Sequence, residues 1–201
     1  MILIFGPAGS GKSEQGLAIA KKYGWKWLSV GQLLREQNDP KMDAILEAGE
    51  LVDDVFVTEL MRREYMRAEA DGEEVILDGY PRNEVQAKLM VESGDAKLVD
   101  GVIVLDVSPS ELWNRIEKRG RSDDTKEAVD KRWSIFEQNI CSILPLLEGE
   151  NVKITTVDGV GTIEEITERI EEVLKEWDVL TEADVLHSEI GGKSVEKSYG
   201  E

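Results

Sequence analysis

The sequence predicts an α/β protein, a five-stranded parallel sheet flanked by helices within one domain. Short apolar runs alternate with long amphipathic stretches, the pattern of strands covered by helices. The first apolar run ends in a glycine-rich turn that leads directly into a helix-like segment. A length of 201 residues suits one domain with small insertions. With 41% hydrophobic and 33% charged residues, the chain has enough apolar material for a core.

The candidate strands, in order, are Ile2–Phe5, Trp25–Ser29, Val75–Leu77, Val102–Val107 and Lys153–Val157. Between and after them lie the helical signals. Ser108, Pro109 and Glu111 read as a capping box with proline at the first helical position, and Leu112 and Ile116 then share a face. From Thr125 onward, Val129, Trp133, Phe136, Ile140, Ile143 and Leu147 recur at the spacing of one long helix. Thr162 and Glu165 form a second capping box, followed by Ile163, Ile166, Ile170, Val173 and Trp177 at the same period. Trp113, Trp133 and Trp177 read as packing residues, and Cys141 as a small core residue of the long helix. The pattern weakens after Asp178, so residues 179–201 are expected to form a flexible acidic tail. Gly191-Gly192-Lys193-Ser194 in that tail has no strand before it and no helix after it.

Charge narrows the partners. Against 42 acidic residues there are 24 Lys and Arg, a net charge of -18. A nucleic-acid binder needs a basic surface to displace counterions, so that class is excluded. A ligand carrying a few phosphates needs only a local cluster of cations. One cysteine leaves no internal disulfide and no cysteine-based zinc site. No signal-peptide layout and no membrane-length apolar run is present, so a soluble cytoplasmic protein is expected, and a monomer is the expected state.

Gly6-Pro7-Ala8-Gly9-Ser10-Gly11-Lys12-Ser13 matches G-x-x-x-x-G-K-[ST], with an apolar strand before it and a helix after it. Glycines let successive N–H groups, including that of Ser10, turn into one anion-sized hollow, and the helix N-terminus adds its positive end. Lys12 is expected to reach the β- and γ-phosphates of a nucleotide, and the Ser13 hydroxyl to hold Mg²⁺. Asp78 closes the run Val75-Ile76-Leu77 and so emerges at the carboxyl end of a strand, where parallel sheets place ligands. A carboxylate there orients the waters of a metal held at Ser13. Asp106, also at the end of an apolar run, is the rival and is read as structural.

Four further stretches, together with that loop, resemble the adenylate kinase family from Met1 to about Leu174. They are Ser29-Val30-Gly31-Gln32-Leu33-Leu34-Arg35, Gly49-Glu50-Leu51-Val52-Asp53-Asp54, Asp78-Gly79-Tyr80-Pro81-Arg82 with Gln86, and Arg119-Gly120-Arg121-Ser122-Asp123-Asp124-Thr125 with Lys131-Arg132. The resemblance implies a P-loop NTPase fold over residues 1–178, with an acceptor-binding flap at about 29–58 and a short lid at about 119–125. It implies that Arg35 and Arg82 grip the acceptor phosphate, that Arg119 lies over ATP, and that Arg121 and Arg132 reach the phosphoryl in flight. Gly31, Leu51, Val52, Gly79 and Gln86 complete the acceptor site. Arginine suits these roles because its planar fork matches phosphate oxygens two at a time. Arg62, Arg63, Arg67 and Arg115 fall in helical patterns and are left on the surface. The lid is too short to build a zinc knob. Asp123 and Asp124 either pair with lid arginines or cap the helix that follows.

The implied reaction is Mg²⁺-dependent transfer of the γ-phosphoryl of ATP to AMP. Gln86 offers the donor and acceptor that adenine requires. Val30 stands where the family has a threonine facing the base, and Asn83 resembles the uridylate–cytidylate branch, so a UMP/CMP or broad-specificity kinase is the alternative. Val57 reads as a core position. Two rivals of other kinds are a phosphate-loop interaction module with weak turnover and a kinase for a small acceptor such as shikimate. The separate arginine clusters and Gln86 favour a nucleotide acceptor.

Overall fold

The computed structural model describes residues 1–36, 52–119, 125–182, 184–186 and 188, apart from the side chains of Arg35 and Arg119. The strands are β1 (Ile2–Phe5), β2 (Lys26–Ser29), β3 (Val75–Asp78), β4 (Gly101–Asp106) and β5 (Lys153–Asp158). They form one sheet in the order β2-β3-β1-β4-β5, and every pairing is parallel. Each expected strand is present, with ends moved by no more than one residue.

The described helices are α1 (Lys12–Tyr23), α2 (Val30–Glu36), α3 (Asp54–Ala70), α4 (Glu84–Glu92), α5 (Pro109–Arg119), α6 (Lys126–Glu148) and α7 (Ile163–Glu176). A short 3₁₀ turn spans Asp95–Leu98. Successive strand residues point to opposite faces, and β1 divides accordingly. Leu3 and Phe5 join a core with Val57, Leu60 and Met61 of α3, Met90 of α4 and Ile143 of α6. Ile2 and Ile4 join a second core with Ile19 of α1 and Ile166, Ile170 and Leu174 of α7. A parallel sheet buried on both faces requires near-continuous apolar strands, which is why β1 and β3 were easy to read.

Caps set the helix starts. Thr162 and Glu165 form the expected reciprocal box, with Thr162 Oγ1 accepting from Glu165 N at 3.2 Å and Glu165 Oε2 from Thr162 N at 2.8 Å. At α5 only half of the expected box is seen. Ser108 Oγ accepts from Glu111 N at 3.4 Å, while the Glu111 carboxylate bonds forward to Arg115 Nε at 2.8 Å. The long helix starts where expected, with Thr125 Oγ1 accepting from Ala128 N.

One expectation needs correction. Cys141 is exposed, because one residue past Ile140 the helix has turned by about 100° away from the buried stripe. Packing continues just past Asp178. Leu180 is 3% exposed, Val179 packs on the second core, and both donate backbone bonds to Leu174 O. No described helix is long and apolar enough to cross a membrane.

Candidate functional site

The sheet order reverses at β1, whose neighbours are β3 on one side and β4 on the other. A crevice opens at such a point at the carboxyl ends of the strands. The glycine-rich loop leaves β1 there and enters α1 through Gly11, whose φ of 88° disfavours any residue with a side chain. Gly6 is constrained by space. A Cβ on it would lie 2.4 Å from Ser10 Oγ.

The loop is held from outside. Ala8 O accepts from Trp133 Nε1 at 2.9 Å and Ser10 O from Arg115 Nη1 at 3.3 Å. Within the loop Ser10 N donates to Pro7 O at 3.1 Å, so its N–H is turned to the loop itself and not, as expected, to an anion; the α1 N-terminus behind it is the positive end an anion would meet. The buried Ser10 hydroxyl has no partner among the described residues.

Ser13 Oγ donates to Asp78 Oδ2 at 2.6 Å. The parallel register sets Asp78 opposite Ile4, next to the strand that feeds the loop, and leaves it 3% exposed. Asp106, the rival, is exposed at the end of β4, where its backbone carbonyl accepts from Gly159 N. A hydroxyl beside a carboxylate is a hard oxygen pair of the kind Mg²⁺ takes. The described residues contain no group of three or more His, Cys, Asp or Glu able to cage a metal. The pair therefore fits an ion that keeps most of its ligands as water and phosphate oxygens.

A cleft of about 650 Å³ opens beside this pair, lined by Gly9, Gly11, Lys12, Ser13, Arg82, Arg115, Lys118 and Arg132 among others. Its five cations stand in a chain of net charge -18. Glu14 is the one carboxylate in the lining, so the cleft carries a local positive excess within an acidic chain, which favours anions there. Arg82 Nε donates to Gly79 O at 2.9 Å, and Arg132 Nε to Ala128 O at 3.2 Å.

Of the candidate residues, the structure gathers Gly9, Gly11, Lys12, Ser13, Arg82 and Arg132 at this cleft, with Asp78 behind Ser13 and Gly6 and Ser10 within the loop. Gln86, in the first turn of α4, lies four residues after Arg82, with its Oε1 accepting from Arg82 N at 2.8 Å. Gly31 in α2 and Val52 at the edge of the first core are not among the lining residues. Leu51 and Arg121 lie outside the described residues, as do the side chains of Arg35 and Arg119. Val30 is 1% exposed and packs in the first core, as Val57 does.

Sequence reasoning missed Arg115. Its side chain, 23% exposed, joins Glu111, the Ser10 carbonyl and the Gly159 carbonyl, the last at 2.8 Å. Arg115 thereby staples the phosphate loop to the β5–α7 connection, and its guanidinium holds the Glu111 carboxyl below the usual range. The signal was its place beside Ile116, on the rim of the α5 face that packs inward. Lys118 and the Gly161 and Ile163 wall were missed as well. Trp133, read as packing alone, is also a hydrogen-bond donor to the loop.

Comparison with known proteins gives one answer. The family model described as adenylate kinase matches residues 4–152. The chain is 34% identical to the adenylate kinase of Maricaulis maris over 189 residues, covering 87% of this chain and 98% of that one. It is 35% identical to the adenylate kinase of Thermus thermophilus over 187 residues, 86% and 96% of the two chains. The Mycobacterium tuberculosis adenylate kinase is 33% identical over 176 residues, 84% and 95%.

Proposed function

Since the chain belongs to the adenylate kinase family, we propose that it transfers the γ-phosphoryl of ATP reversibly to AMP, giving two ADP. The observation that carries this reading is the meeting of Lys12, Arg82 and Arg132 in one cleft beside the Ser13–Asp78 pair. An AMP phosphate is already an anionic oxygen nucleophile. The protein need only hold two phosphate-bearing anions in line and neutralise them.

Lys12 takes the β- and γ-phosphates, with the loop's N–H groups and the α1 N-terminus behind them. Arg82, with Arg35, grips the acceptor phosphate. Arg132, with Arg121, meets the phosphoryl in transit, and Arg119 covers ATP. Mg²⁺, when bound, supplies further charge neutralisation on the ATP phosphates. Ser13 offers it a hydroxyl ligand, and Asp78 orients its waters. Gln86 reads the base. Asn83, the residue that pointed toward pyrimidines, is the N-cap of α4, with its side chain accepting from Gln86 N at 3.0 Å. Residues 1–178 act as the kinase domain, with the flap at 29–58 and the lid at 119–125. The setting we favour is the cytoplasm, with a monomer acting on free nucleotides.

Initial rates of transfer from Mg·ATP to AMP, dAMP, CMP, UMP, GMP and shikimate test the reading. Fast transfer to AMP over the other ribonucleotides is expected. Equal or faster transfer to CMP or UMP would move the chain to a pyrimidine or broad acceptor, and no transfer to any nucleotide overturns the proposal.

A further inference from the structure

Gln86 does not stand alone. Its Nε2 donates to Asp54 Oδ1 at 2.8 Å, and Asn83 Nδ2 donates to the same oxygen at 2.8 Å. Asp54 is the first residue of α3, while Gln86 belongs to the first turn of α4, 32 residues later. The two flanking partners of the Gln86 amide are chemically unambiguous. Arg82 N is a backbone donor, so the atom facing it is the amide oxygen. An ionised carboxylate only accepts, so the atom facing Asp54 is the amide nitrogen. Gln86 is 3% exposed. Turning the amide over would set NH₂ against N–H and oxygen against carboxylate, away from compensating water. The orientation is locked.

After these two bonds the carboxamide retains one N–H and one oxygen lone pair. Bases divide into two classes at the edge it would meet. Amino bases present an exocyclic donor beside a ring-nitrogen acceptor, and oxo bases present a carbonyl acceptor beside a ring N–H. A carboxamide free to flip satisfies both classes. A locked one satisfies only one order of donor and acceptor, provided the phosphate and ribose fix the direction of approach.

We propose that Asp54 is the positioning residue that sets acceptor specificity, by holding the Gln86 amide in the single orientation that accepts a 6-amino purine and rejects a 6-oxo purine. The inference rests on the reading of AMP as acceptor and adds the residue that enforces it. Asn83 bonds both Asp54 and the Gln86 backbone, and so ties the lock to the start of α4.

The test measures kcat and KM for AMP and for inosine monophosphate at saturating Mg·ATP, in the parent, Asp54→Ala and Asp54→Asn proteins. Melting temperatures are recorded in parallel. The parent should prefer AMP strongly. Asp54→Ala should lower the AMP-to-IMP ratio of kcat/KM by about tenfold, chiefly through KM for AMP, as expected when one polar partner of a recognition group is removed. Asp54→Asn keeps an oxygen acceptor and should retain most of the selectivity. Loss of fold alone would lower both substrates equally, and Asp54→Ser replaces the alanine variant if that chain fails to fold. A folded Asp54→Ala protein with an unchanged ratio, or a parent that takes AMP and IMP equally, overturns the lock while leaving the kinase reading intact. A parent that transfers to neither nucleotide overturns both.

Discussion

The two ends of the sheet use polar residues in opposite ways. At the carboxyl ends of the strands, Lys12, Arg82, Arg115, Lys118 and Arg132 face one cleft of about 650 Å³. At the amino ends a hollow of about 220 Å³ is walled by Met1, Tyr65, Glu69, Glu73, Glu74 and others. Several charges at this second end meet a partner of opposite sign. The Met1 ammonium pairs with Asp100 and Glu74. Asp95 accepts from Tyr65 Oη at 2.6 Å and Arg62 Nε at 2.7 Å. Pairing of this kind favours the folded chain, and the remaining lining charge, from Glu69 and Glu73, is acidic and repels phosphate. The cleft instead gathers five cations against the single lining carboxylate of Glu14, a positive excess that costs stability and gains affinity for phosphate. One end holds the fold and the other does the chemistry.

Substitutions at the two ends should therefore separate rate from stability. The largest effect is expected at Lys12. Lys12→Ala should lower kcat by about 10²–10³-fold, the scale for losing one charge-stabilising group at a transferring phosphoryl, with little change in melting temperature. An unchanged rate would remove Lys12 from the reaction. Asp78→Asn should lower activity by about 10–100-fold, as for a partner that orients a metal's ligands. A titration should show a raised Mg²⁺ requirement, and a parental titration curve would detach Asp78 from the metal.

At the opposite end, Asp95→Ala should leave kcat near the parental value and cost about 1–3 kcal/mol in denaturant unfolding, because it strands the buried Tyr65 hydroxyl. A loss of rate without a loss of stability would reverse the comparison. The same residue governs an acid limb. Burial pushes the Asp95 carboxyl up, but hydrogen bonds from Arg62, Tyr65 and Ser93 outweigh it and hold the group below its ordinary 3.8. A carboxyl lowered in the folded state contributes stability that is complete above its unfolded value and is lost as pH falls through the folded one. The parent should thus lose stability below about pH 4 more steeply than Asp95→Asn, and equal acid slopes would count against the pairing. The smallest effect belongs to Thr162→Ala. Loss of its cap should cost about 1 kcal/mol in the same unfolding experiment.

Local chemistry was legible in the sequence, and long-range chemistry was not. The strands could be read because β1 and β3 are apolar on both faces, and α7 because Thr162 and Glu165 lie three residues apart. Asp78 could be placed at a strand end, and its meeting with Ser13 follows from parallel register. Arg115 gave no such signal, since its partners Ser10 and Gly159 are 105 and 44 residues away. Asn83 looked like a marker of base preference because its neighbour Arg82 was read in one dimension, whereas folding makes it a cap and a partner of Asp54. Cys141 was misplaced by a single helical step, an error of angle that apolar neighbours in sequence cannot reveal.

The brackets around the phosphate loop also bear on the order in which a ribosome delivers this protein. Arg115 is made 105 residues after the Ser10 carbonyl it holds, and Trp133 is made 125 residues after Ala8. Gln15, in the first turns of α1, waits 148 residues for the Ile163 carbonyl to which it donates. A nascent chain thus carries the complete nucleotide-binding motif long before the parts that shape it exist, and contacts of such separation form late. The contacts that shape the motif become available only after Arg115, Trp133 and Ile163 have been made.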